Sequence, residues 1–174
     1  MKRLLFLFCV LVASSISVIS CTVTDNDMGD KAAHKWNDFV QKNLVGDWVP
    51  MSIEFGPIIG SSIQTIPYPH NPNCTKDILV MRKDYSGAFN HQLSDCTLKQ
   101  TKLTWKHRLG EVSFVTDNGR TVKSVPLHKD SKAMVLLFPA LEFPELVNMI
   151  DPTGELITSE KIKLLTFKIT YVKP

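Results

Sequence analysis

Four cysteines and five histidines are the side chains of this 174-residue chain best suited to chemistry. A thiol can ligate a metal, attack a carbonyl or pair with another thiol. Cys74 and Cys96 lie too far apart for a redox Cys-x-x-Cys motif. His34, His70, His91, His107 and His128 stand at no metal-ligand spacing from one another, from a cysteine or from a carboxylate, and read as surface or half-buried histidines. There is no Gly-x-Ser-x-Gly elbow and no phosphate loop. The sequence therefore predicts no catalytic residue, no metal site and no cofactor, and the chain reads as something other than an enzyme.

The remaining chemistry for Cys74 and Cys96 is a disulfide, and the elements around them favour it. Ile78 to Met81 is an apolar run of strand length. Asp84-Tyr85-Ser86-Gly87 carries turn residues, and Ala88 to Leu93 reads as the return strand. If Asp84 and Gly87 flank the turn, paired residues have numbers adding to about 171. Cys74 and Cys96 then meet at the open end of one hairpin, within a one-residue bulge of facing each other.

The chain begins with Lys2 and Arg3, an apolar core from Leu4 to Val12 and small residues after it. This is too short for a membrane span and has the make-up of a secretory signal. Its end, Val18-Ile19-Ser20-Cys21, resembles the lipobox of bacterial lipoproteins. The resemblance implies cleavage before Cys21, acylation of Cys21, and attachment of the protein to a membrane of the cell envelope, expected to be the outer membrane. Cys9 leaves with such a leader, and Cys74 and Cys96 remain as an even pair in an oxidising compartment. Loss of Lys2 and Arg3 leaves 18 basic against 17 acidic side chains, a net charge of +1. That is no footprint for nucleic acid. At 44% hydrophobic and 21% charged, the remainder is ordinary for one globular domain. The expected organisation is a signal over 1–20, a polar tether over 21–30 and one domain over 31–174.

Within that domain, Asp30 caps an expected short helix over Lys31 to Lys42. Ala33, Trp36, Phe39 and Val40 on one face of that helix pack against the end of a sheet structure. Alternating runs then follow at short spacing. Val49 to Phe55 is the first, with Pro50 marking an edge or a bulge. The hairpin strands follow, then Lys102 to Arg108, Glu111 to Thr116, Thr121 to Leu127, Lys132 to Phe138 and Ile162 to Val172. Asp117-Asn118-Gly119-Arg120 contains the strongest short hairpin signal. Two long connections interrupt the series. Residues 56–73 are rich in proline and glycine and carry no predicted element. In 139–160, Pro144 to Asn148 is expected to make a helical turn and Asp151-Pro152-Thr153-Gly154 a tight turn. Eight strands without helical crossovers predict an all-β fold, an eight-stranded antiparallel up-and-down barrel with a short N-terminal helix. Such a barrel is either filled or holds one small ligand.

Leu44-Val45-Gly46-Asp47-Trp48 resembles the Leu-x-Gly-x-Trp start of lipocalin-like domains. With Cys74-Thr75-Lys76-Asp77 before a strand, Asp84 to Gly87 after it, Cys96 and Trp105, the chain resembles the lipocalin-like lipoproteins of Bacteroidetes-type bacteria. The resemblance covers roughly residues 43–138, and 160–172 loosely. It implies an eight-stranded barrel on a lipid anchor and no chemistry. Trp48, Met51, Ile53, Phe55, Trp105, Phe114, Phe138 and Phe167 alternate toward the inside. Aromatics at that spacing read first as core and second as the lining of an apolar cavity. A cavity of about 300 Å³ or more would favour a small hydrophobic or amphipathic ligand. A filled barrel would favour a structural or interaction module, with Ile58, Ile59, Ile63 and Ile66 of the first long connection touching an envelope partner.

Overall fold

Residues 25–130, 132–154, 157–158 and 160–174 are described in a computed structural model of the protein. The leader and Cys21 lie outside the described residues. The chain divides into two units, Met1–His34 and Lys35–Pro174. In the first, residues 25–34 are helical and open α1 (Asp25–Asn43), so this helix starts ahead of the expected Lys31 and takes in residues 25–30 of the expected tether. The second unit holds the rest of α1, nine strands and α2 (Pro144–Ile150). No helix among the described residues is long and apolar enough to cross a membrane.

The strands are β1 (Gly46–Pro57), β2 (Gln64–Pro67), β3 (Ile78–Met81), β4 (Ser86–Gln92), β5 (Leu98–Arg108), β6 (Glu111–Thr116), β7 (Thr121–Asp130), β8 (Ala133–Pro139) and β9 (Leu165–Val172). From β3 to β9 each strand pairs antiparallel with the next, β3 pairs with the start of β1, and β9 returns to β1. Eight strands thus close into the expected barrel, which leaves no exposed ladder between first and last strand. The ninth strand, β2, was not expected. It lies in the long connection after β1 and pairs with Ser52–Phe55, on the edge of β1 that β3 leaves open. A four-residue strand flanked by proline has almost no periodicity to read, and the neighbouring edge supplies the pairing.

Of the edge or bulge expected at Pro50, the bulge is present. Pro50 faces Tyr171 and Ser52 faces Thr170, so Met51 is the extra residue. A bulge shifts the side-chain alternation by one. Trp48 before it and Ile53 and Phe55 after it therefore all reach the core, although their numbers differ in parity. Met51 is 38% exposed and does not line the interior as expected.

The hairpin register also differs from expectation. Ile78 pairs with Asn90 and Met81 with Gly87, a shift of three residues from the expected sum. The turn is Arg82 to Tyr85, with Tyr85 N–H donating to Arg82 O at 3.1 Å, and Tyr85 takes the positive φ of 65°. Gly87, expected in the turn, is instead a strand residue. A Cβ there would stand 2.5 Å from Val80 O and 2.7 Å from Leu103 Cδ1, so the absent side chain is what lets β3 and β5 approach. At the next hairpin Gly119 does take a turn role, with φ of 80° and its N–H bonded to Thr116 O.

At one end of the barrel, Val40 and Leu44 of the α1 region are fully buried in the core. Trp48 donates its Nε1–H to Leu44 O at 2.8 Å, and Lys173 Nζ sits 5.1 Å from the Trp48 ring. Trp105 Nε1–H reaches Arg82 O and Ser86 O at 3.1 and 3.2 Å, tying the barrel core to the β3–β4 turn. The two long connections lie at the opposite end, since Pro57 pairs with Leu165 and Pro139 with Thr166. The second connection contains a 3-10 turn (Ala140–Glu142), α2 with Pro144 at its first position, and the expected turn with Gly154 N–H on Asp151 O. Residues 161–164 form a further 3-10 turn rather than the start of the last strand.

Candidate functional site

The open end of the barrel is floored by aromatic rings. Phe55 and Phe167 have centroids 5.1 Å apart, Phe143 stands edge-on to Phe167 at 6.3 Å and to Phe138 at 5.3 Å, and Phe114 lies 6.5 Å from Phe138. Trp48, Ile53, Trp105, Phe114, Phe138 and Phe167 therefore belong to one buried core, which they fill against one another.

Above this floor the two long connections wall a cleft of about 560 Å³. One wall is Phe55, Pro57, Ser61, Ile63 and Gln64; the other is Ile150, Ile157, Lys161, Leu164 and Leu165. Of the expected lining residues, Phe55 is the one that reaches it. The first wall is held by the backbone: Ile63 N–H donates to Phe55 O at 2.7 Å and Ser62 Oγ donates to Glu54 Oε2 at 3.1 Å. The turn back from β1 passes so close that a Cβ on Gly56 would lie 3.0 Å from Ser62 Cα. The second wall is held by Asp151, a buried carboxylate that accepts the Ile157 N–H at 2.8 Å and the Thr153 hydroxyl at 3.3 Å. Thr166 Oγ1 donates to Gly56 O at 3.1 Å and ties the feet of both walls together. Ile63 and Leu164 are 61% and 71% exposed, large apolar side chains left uncovered on opposite sides of the cleft. Leu165 also borders a second, smaller groove of about 310 Å³ on the outer face, with Ile58, Val125 and Leu137.

A polar cluster lies on the inner wall at the same end. Asp77 is 1% exposed and pairs in sequence-adjacent register with His91. His91 Nδ1 is 2.8 Å from Asp77 Oδ2, and the Gln92 N–H donates to Asp77 Oδ1 at 2.8 Å. Tyr68 brings its hydroxyl to the same carboxylate; burial first and the Asp77 charge second push its phenol well above the usual value. Tyr171, also buried, is raised by burial first and by Tyr68 second. His70 Nε2–H donates to Pro50 O at 2.6 Å, while its Nδ1 accepts the Asp77 N–H at 3.2 Å. A carbonyl only accepts and an amide only donates, so these partners fix the neutral tautomer. These contacts tie Tyr68 and His70, which follow β2, to Pro50 of β1 and to Asp77 ahead of β3, so the cluster anchors the crossing from β2 to β3. The Asp77–His91 pair was missed in the sequence because the expected register places His91 opposite Val80.

The Cys74–Cys96 disulfide is present, with Cα atoms 5.3 Å apart, but its setting differs from the one expected. Both cysteines lie in turns beyond the ends of β3 and β4. Cys74 N–H bonds to Asn71 O and Cys96 N–H to Leu93 O, and Cys96 has a φ of 63° that folds it back toward Cys74. Asn71 Nδ2 adds bonds to Leu93 O and Ser94 O, both at 3.1 Å. At the other end, His107 packs among Trp36, Tyr85 and Trp105, and burial pulls its imidazole below the usual value. No group of metal-ligating side chains occurs among the described residues.

No family model and no curated protein matches this chain. Among solved structures it is similar to one titled "De novo design of a fluorescence-activating beta barrel", at 10% identity and a TM-score of 0.38, over 79% of this chain and 98% of that one.

Proposed function

We propose that this is a lipid-anchored lipoprotein of the bacterial cell envelope, held in the outer membrane by acylated Cys21, and that it carries a small hydrophobic or amphipathic ligand at the open end of its barrel. The observation that supports the ligand is the cleft of about 560 Å³, within the range of small-molecule sites. Its uncovered Ile63 and Leu164 offer apolar surface to a ligand. The site differs from the interior cavity expected of a lipocalin-like barrel, because the aromatic core occupies that volume. The role is non-catalytic and needs no cofactor. Titration with the neutral apolar dye Nile red is the test. The wild type is expected to enhance its fluorescence, and Ile63→Asp with Leu164→Asp to abolish the enhancement while the circular dichroism spectrum is kept. A wild type that takes up no dye sinks this reading.

A second reading rests on Ile58 and Ile59, which are 60% and 89% exposed beside the smaller groove. Here the same loop docks on an envelope protein and the barrel is a scaffold. A single co-purifying partner lost in Ile58→Asp/Ile59→Asp protein, with dye binding intact, supports it. A wild type recovered without a partner counts against it.

A further inference from the structure

Among the described residues that line the cleft, Lys161 is the charged one. Lys161 stands in a wall otherwise made of Ile150, Ile157, Leu164 and Leu165, and the facing wall contributes the neutral polar groups of Ser61 and Gln64. Asp47, Asp77 and Glu111 pair with Arg82, His91 and Lys123. None reaches Lys161. Lys161 is exposed at the edge of this apolar cleft, and an anionic group whose chain occupies the cleft would lie beside its ammonium and form a charge-assisted contact. The volume of about 560 Å³ leaves room for one medium-length chain along the apolar walls.

We infer that the ligand of this cleft is a single-chain amphiphile with an anionic head, its chain against Phe55, Ile63, Ile157 and Leu164 and its head at Lys161, which sets the preference for negative charge. This rests on the reading of the cleft as a ligand site. Lys161 lies on the first residue of the 3-10 turn and its N–H is bonded to Thr158 Oγ1, so its backbone is fixed while its side chain remains free to follow the head. Lys163, two residues on, borders the other groove and is the natural control.

The experiment is displacement of bound Nile red from the purified full-length chain by decanoate, 1-decanol and decyltrimethylammonium. Three ligands share one chain and differ in the charge of the head. The wild type is expected to bind decanoate about tenfold more tightly than the cationic homologue, the order of one charge-assisted contact. Lys161→Met should remove that preference and leave decanol within about twofold of wild type, Lys161→Arg should keep it, and Lys163→Met should not alter it. A preference that survives Lys161→Met overturns the assignment of the head to Lys161. A wild type that binds all three alike overturns the anionic class while leaving the apolar site standing. A wild type from which none displaces dye, or which binds no dye, overturns both readings.

Discussion

Tyr68 and Tyr171 hold their phenols where ionisation is opposed, mainly by burial, and both are raised well above the usual value near 10. The folded state therefore keeps protons that the unfolded chain releases. Their contribution to stability is complete below about pH 10 and is lost as pH rises beyond it toward the folded values. Denaturation followed from pH 8 to 11 should show stability falling above pH 10, with a limiting slope of about 1.4 kcal/mol per pH unit for each phenol. Tyr171→Phe should shallow that slope; an unchanged slope would place the loss elsewhere. The disulfide acts by another route. It closes a sequence separation of 22, and in the chain-entropy model such a loop stabilises by roughly 3 kcal/mol, less where the unfolded chain keeps structure. Replacing both Cys74 and Cys96 by Ser should lower the melting temperature and leave the barrel's circular dichroism unchanged. Peptide mapping without reductant is the direct check on the bond itself.

At the level of elements, β4 depends on a residue it lacks a side chain for. Gly87→Ala would put a Cβ 2.5 Å from Val80 O, a backbone atom that cannot swing aside, and 2.7 Å from Leu103. The expected cost is about 1–3 kcal/mol, read from urea unfolding, as for other overpacked sites. An alanine variant as stable as wild type would mean that β3 and β5 yield without penalty. The bulge at Met51 does comparable work in β1. It lets one strand place Trp48 at the helix-covered end and Phe55 at the cleft, both facing in. The same strand serves three neighbours, β3 and then β2 along one edge and β9 along the other. The cleft wall thus grows directly from the barrel's own ladder.

For the whole molecule, the decisive feature is where space is left. The barrel interior is packed with tryptophan and phenylalanine, so Trp105→Ala should cost about 3–5 kcal/mol in stability. The cleft lies at the far end of the barrel from that residue, and dye binding by the folded fraction is expected to persist. The proposed anchor is tested separately. Cys21→Ser should shift the protein from the membrane pellet to the soluble fraction on cell fractionation, because several acyl chains hold firmly where none holds at all. A variant that still pellets as the wild type does would remove Cys21 from that role.

The eight barrel strands, their direction and their order were legible in the chain, because alternation with a period of two is a local property and the Asn118-Gly119 turn signal is local too. Pro50 announced an edge or a bulge for the same reason, since a residue without an N–H cannot donate to the ladder. The disulfide partners were legible from proximity along a hairpin, although the register assumed for them was three residues off. That error hid Asp77 opposite His91, for a carboxylate and an imidazole fourteen positions apart acquire meaning only once pairing is known. Strand β2 could not be read either, because four residues pair there only when the edge of β1 is already in place. The location of the cleft is the furthest from local reading. It depends on which aromatic rings fill the barrel and on two connections, far apart in sequence, being brought together where β1 ends and β9 begins. That is a consequence of barrel closure, and only the tertiary structure decides it.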